Sequence, residues 1–163
     1  MTEPETRPGR VLGLDIGDAT FGVAVSDETR LIASGVTTLR RAAWATDLAA
    51  LRALVTEHEA VALVVGVPRR LDGRETDQTR KTERVASALE KDLGLPVHRT
   101  NEVLTTAAAK RTLLEAGTRN QKRSGALDQV AATLILQGWL DAERSRRSFL
   151  ERFGDNADDD DDG

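Results

Sequence analysis

The stretch LGLDIGDATFGVAVSD, residues 12–27, decides the fold, because an apolar run carries an acid to its end and then doubles back through glycines. Val11, Leu12, Leu14 and Ile16 read as a buried strand, Gly17-Asp18-Ala19-Thr20 as a turn, and Phe21, Val23 and Val25 as the inward face of a returning strand. Asp15 therefore stands where a core strand meets a glycine turn. A carboxylate there is costly unless it is hydrogen-bonded, paired or bound to a cation. Gly13, Gly17 and Gly22 let a backbone or a ligand come close. An aspartate in such a place also serves as a plain turn cap, so the position alone leaves structure and chemistry both open.

Working outward from this hairpin, Leu31–Leu39 supplies a third strand, and Trp44–Glu59 carries Leu48, Leu51, Leu54 and Val55 at helical spacing. Val61–Val65 is a continuous apolar run ending at Gly66-Val67-Pro68, the pattern of a strand buried on both faces. Thr76–Leu93 reads as a charged helix and Leu95–Arg99 as a short strand. Two further helices are expected, about Thr105–Ala116 with Gly117 as its stop signal and about Lys122–Glu143. An antiparallel meander of three strands, followed by helices alternating with strands, predicts an α/β fold: a mixed sheet with helices on both faces. Right-handed crossovers make the Val61 and Leu95 strands parallel to the first. Ligands in such sheets gather beyond the carboxyl ends of the parallel strands. Those ends are Asp15, the loop Gly66–Gly73 and Glu102. Asp128 is a third acid of interest, since it heads the helical stripe Ala132, Ile135 and Trp139. Asp128 could instead be an aspartate stabilised in a first helical turn, and Glu102 a surface glutamate ahead of a helix cap at Thr105 or Thr106. No arginine or lysine adjoins Asp15 or Glu102 in sequence to neutralise them.

The 163 residues divide into an N-terminal arm (1–9), one domain (10–150) and an acidic tail (151–163) expected to be disordered. The formal net charge of −4 hides an asymmetry: the tail holds seven acids and one arginine, which leaves residues 1–150 at +2. Positive charge clusters at Arg69, Arg70 and Arg74, at Arg80, Lys81 and Arg84, and at Arg119, Lys122 and Arg123. Such clusters fit phosphate contacts, though they are also ordinary solvated surface. With no cysteine and only His58 and His98, thiolate and histidine-rich metal sites are excluded. A metal must then be held by oxygen ligands, which points to Mg2+ or Mn2+. No apolar run reaches membrane-spanning length and the opening MTEPETRPGR lacks a secretory core, so no membrane partner is expected and the expected compartment is the cytoplasm. Three phenylalanines, two tryptophans and no tyrosine make a base-stacking platform improbable.

Four blocks in order, LGLDIGDATFGVAVSD, VVGVPRRLDG, NEVLTTAAA and LDQVAATLILQGWLD, resemble the YqgF family of the ribonuclease H-like superfamily over residues 10–141. The family is associated with nuclease processing of pre-16S rRNA and with resolution of Holliday junctions. The resemblance implies a ribonuclease H-like domain whose catalytic and metal-binding acids fall on Asp15, Glu102 and Asp128. These would hold divalent cations for phosphodiester hydrolysis. Arg69, Arg70, Arg74, Lys122 and Arg123 are then the candidates for contacts to a nucleic-acid backbone. The partner would be structured RNA or branched DNA, with the protein a monomer or a homodimer; cutting a junction requires two active sites and hence the dimer.

The chain departs from the family pattern at two places. Asp18-Ala19-Thr20-Phe21 stands where a threonine and basic residues are usual, and Asn101-Glu102-Val103 where Asp-Glu-Arg is usual. Two positive charges expected near the acids are therefore absent. Two other classes compete with a nuclease. An actin-like or sugar-kinase-like phosphotransferase also uses an Asp-Ile-Gly turn, but needs a second lobe that this length does not supply. A non-catalytic nucleic-acid-binding module would keep the fold and lose the chemistry.

Overall fold

The structure, a computed structural model, describes residues 9–101 and 123–161. Strands β1 (Arg10–Ile16), β2 (Thr20–Ser26) and β3 (Ala33–Arg40) form the meander. Helix α1 (Trp44–His58), strand β4 (Ala60–Val67), helix α2 (Asp77–Leu93), strand β5 (Val97–Asn101) and helix α3 (Arg123–Asp161) follow. The five strands are ordered β3-β2-β1-β4-β5, with β1 antiparallel to β2 and parallel to β4, and β4 parallel to β5. The mixed sheet expected from the sequence is thus present. The helix expected at Thr105–Ala116 lies outside the described residues.

Alternation along β1 sorts the core into two layers. Leu12, Leu14 and Ile16 join Phe21, Val23, Leu63, Val65 and Leu51 on the face covered by α1 and α2. Val11 joins Ala24, Ala62, Val64, Ala132, Ile135, Leu136 and Trp139 on the face covered by α3. Each layer removes a continuous apolar surface from water, and at roughly 1.5–3 kcal/mol per buried large side chain this burial dominates the stability of the domain.

Local chemistry explains where element ends differ from the pattern. Strand β3 starts at Ala33 rather than Leu31 because the Asp27 carboxylate accepts the amides of Leu31 (2.8 Å) and Ile32 (2.9 Å), which draws both into the turn. Strand β5 starts two residues later than the pattern, at Val97. Pro96 has no N–H to give the ladder, and only its carbonyl takes part, accepting from Leu63 N at 2.9 Å. Helix α1 stops where Glu59 adopts the left-handed conformation, φ 54°, and α2 is opened by a reciprocal Thr76/Thr79 capping box. Helix α3 runs well past Glu143, through Glu151 and on to Asp161. Its buried stripe ends at Leu140. Beyond it, the ion pairs Arg144–Asp141 (2.8 Å) and Arg146–Glu143 (2.7 Å) lie along the helix surface.

Helix α3 lies against the sheet through glycines. A Cβ built on Gly13 would stand 2.7 Å from Leu136 Cβ, and one built on Gly22 would stand 2.1 Å from the Asp128 carbonyl oxygen. The second obstacle is backbone and cannot swing away. Gly22→Ala should therefore force α3 off β2 and cost about 1–3 kcal/mol, the usual penalty of overpacking, read as a lower urea midpoint. An unchanged midpoint would mean that the helix does not sit this close.

Candidate nuclease site

Asp15 is the last polar residue of β1, half-buried, and its side chain belongs to the α3 face because Val11 and Gly13 before it do. Its antiparallel partner is Gly22. Since Gly22 presses on the backbone of Asp128, the strand pairing and the helix contact together bring two acids, distant in sequence, to one place on one face. Asp128 is also half-buried. Its Oδ2 accepts a hydrogen bond from the Thr20 hydroxyl, which ties the start of α3 to the first residue of β2. Thr20 is one of the residues by which the chain departs from its family, and sequence reading gave it no role.

The third expected acid, Glu102, lies outside the described residues. Strand β5 ends at Asn101, just before it, and is parallel to β4, as β4 is to β1, so its carboxyl end shares the sheet edge of Asp15. Among the described residues no group of three or more His, Cys, Asp or Glu is placed to hold a metal ion. Asp15 and Asp128 fit a hard cation by the chemistry of the donors: both are carboxylates, with a hydroxyl beside them. Neither histidine belongs to the pair, since His98 stacks on Trp139 with ring centroids 4.9 Å apart and His58 ends α1.

The expected phosphate-binding arginines fare differently. Arg69, Arg70 and Arg74 do lie on the loop that follows β4, at the carboxyl edge. Each is already answered by a carboxylate: Arg69 by Glu75 at 3.6 Å, Arg70 and Arg74 by Asp72 at 3.5 and 3.3 Å. Two carboxylates thus offset two of the three charges, and the loop keeps a net charge of about +1 rather than the +3 its arginines suggest. Lys122 lies outside the described residues, as does the side chain of Arg123. Two neighbouring basic residues that sequence reading passed over stand at this edge instead. Arg41 donates from Nη1 to the Gly17 carbonyl (2.7 Å) and lies 4.7 Å from the centre of the Phe21 ring, so it braces the turn after Asp15. Arg40 is exposed and pairs in register with Thr20. The missed signal was register: counting back through the meander from the Gly17–Thr20 turn sets the end of the third strand beside it.

A family model described as "RuvX: Holliday junction resolvase" matches residues 9–142. The chain belongs to the RuvX family. This is the YqgF family of the resemblance above. Relatives named "Putative pre-16S rRNA nuclease" include one from Myxococcus xanthus, 47% identical over 135 residues covering 83% of this chain and 89% of that protein. Another, from Moorella thermoacetica, is 48% identical over 132 residues, covering 81% of this chain and 94% of its own. In fold, the RuvX chain is similar to Thermus thermophilus RuvC in complex with a Holliday junction substrate. The TM-score is 0.51 at 15% identity, over 83% of this chain and 96% of that one. The yeast mitochondrial Holliday junction resolvase Ydc2 gives 0.51 at 14% identity, over 90% and 85%. These likenesses are of fold and agree with the ribonuclease H-like architecture.

The Thr20–Asp128 bond is directly measurable. In a double-mutant cycle, Thr20→Val and Asp128→Ala, which removes the acceptor altogether, should couple by about 0.5–1.5 kcal/mol in unfolding free energy, the range of one intramolecular hydrogen bond. Additive single effects would show that the two side chains do not meet.

Proposed function

We propose that this RuvX chain is a divalent-cation-dependent endonuclease that hydrolyses phosphodiester bonds in structured nucleic acid, with the precursor of 16S rRNA as its substrate and the cytoplasm as its place of work. The reading is carried by the Asp15–Gly22 pairing and the close approach of Gly22 to the Asp128 backbone, which put the two acids on the α3 face. Two carboxylates so placed repel each other, a repulsion that a divalent cation held by them would relieve. Asp15, Asp128 and, by family resemblance, Glu102 would hold Mg2+ or Mn2+, which activates a water and stabilises the leaving oxygen when bound. The protein's own part is orientation. Thr20 holds the Asp128 carboxylate through Oδ2, and Arg41 holds the turn that ends β1. Sequence is not read by such a site; shape and backbone are.

The family description supplies a second reading, cleavage of four-way DNA junctions. It differs in one physical demand, since two symmetric cuts need a homodimer whereas trimming one RNA end needs only a monomer. Measuring solution mass beside cleavage of both substrates separates the two.

Asp15→Asn and Asp128→Asn should each abolish Mg2+-dependent cleavage of a pre-16S rRNA fragment while leaving the thermal midpoint of the metal-free protein unchanged or raised, because one of two repelling charges is gone. Cleavage by either purified variant at the parental rate would rule the assignment out.

A further inference from the structure

We propose that Arg40 is a phosphate-contacting residue at the rim of this site, supplying from the end of β3 a positive charge that the turn between β1 and β2 lacks; the proposal rests on the nuclease reading above. The turn reads Gly17-Asp18-Ala19-Thr20, with no basic residue. Its Asp18 pairs with Lys81 of α2 at 3.9 Å, which occupies one nearby cation. A phosphodiester approaching two carboxylates meets like charge, and cations held there would answer only the reacting group. The flanking phosphates need fixed positive charge on the protein.

Arg40 meets that need by register. It is the direct cross-strand partner of Thr20, so the two side chains leave the sheet on the same face. That is the face of α3, because the Thr20 hydroxyl bonds Asp128 there, while the next pair, Phe21 and Leu39, packs into the core of the opposite face. Arg40 is exposed, and no ion pair links it to any described acid. Arg69, Arg70 and Arg74 are by contrast each engaged within their own loop. Its neighbour Arg41 is spent on the turn and on Phe21. A long side chain with a free planar donor fork, beside the carboxylates but not paired to them, suits a phosphate oxygen pair.

The test is binding of a fluorescein-labelled RNA stem-loop, followed by anisotropy across a sodium chloride series, with Asp15→Asn in the full-length chain to prevent cleavage. Adding Arg40→Gln should weaken binding about fivefold near 0.15 M salt and flatten the slope of log K against log salt by about one unit, the signature of one lost phosphate contact. Lys91→Gln, equally exposed but in the last turn of α2, far from the end of that helix anchored at Pro68, should change neither. Because the Arg40 side chain makes no hydrogen bond or ion pair with a described residue, the thermal midpoint of Arg40→Gln should match the parent. Equal binding by the Arg40→Gln protein and the parent, or an equal loss with Lys91→Gln, would overturn the proposal and leave the nuclease reading standing. If the parental chain neither binds the RNA nor cleaves it with Mg2+, the nuclease reading falls first and this proposal with it.

Discussion

Helix α3 touches β2 backbone to backbone at Gly22, and the functional geometry follows from that contact. Any side chain at position 22 would overlap the Asp128 carbonyl. Its absence lets the helix settle low enough for Asp128 to reach Thr20 and to share a face with Asp15. The same low seating recurs at Gly13 beneath Leu136, so the helix is held at two places about two turns apart rather than at one point. Apolar burial along Ala132, Ile135, Leu136, Trp139 and Leu140 supplies the driving force. The glycines convert that burial into the close approach of Asp128 to β2, the geometry on which the proposed cation site rests.

Charge around the site is organised by what each cation already does. The loop after β4 looks strongly basic in sequence, yet Asp72 and Glu75 offset two of its three positive charges. Arg41 serves the turn, and Lys81 answers Asp18. The field available to a polyanion therefore cannot be read by counting arginines. It depends on which guanidinium groups are left without a carboxylate, and among the described residues the end of β3 offers one beside the acids.

Most of the fold was legible in the sequence because its signals are local. The hairpin around Gly17, the continuous run in β4 and the stripe of α3 each follow from side-chain period, and they carried Asp15 and Asp128 to their correct elements. The misjudged ends have particular causes: Asp27 captures the amides of Leu31 and Ile32, and Pro96 delays β5. Thr20 and Arg40 were not legible because their roles come from partners 108 residues away and across a strand pair. Composition could name clusters of arginine, but not which of them fold back onto their own acids.

The central claim, that Asp15 and Asp128 form one cation site, is tested most directly by titrating Mn2+ into the isotope-labelled protein and mapping paramagnetic broadening of backbone amides. The account predicts that the amides around Asp15, Thr20, Gly22 and Asp128 broaden together at substoichiometric Mn2+ and that Asp128→Asn removes the broadening at Asp15 as well. Broadening confined to the aspartate run 158–162, or at Asp15 and Asp128 independently of each other, would contradict it.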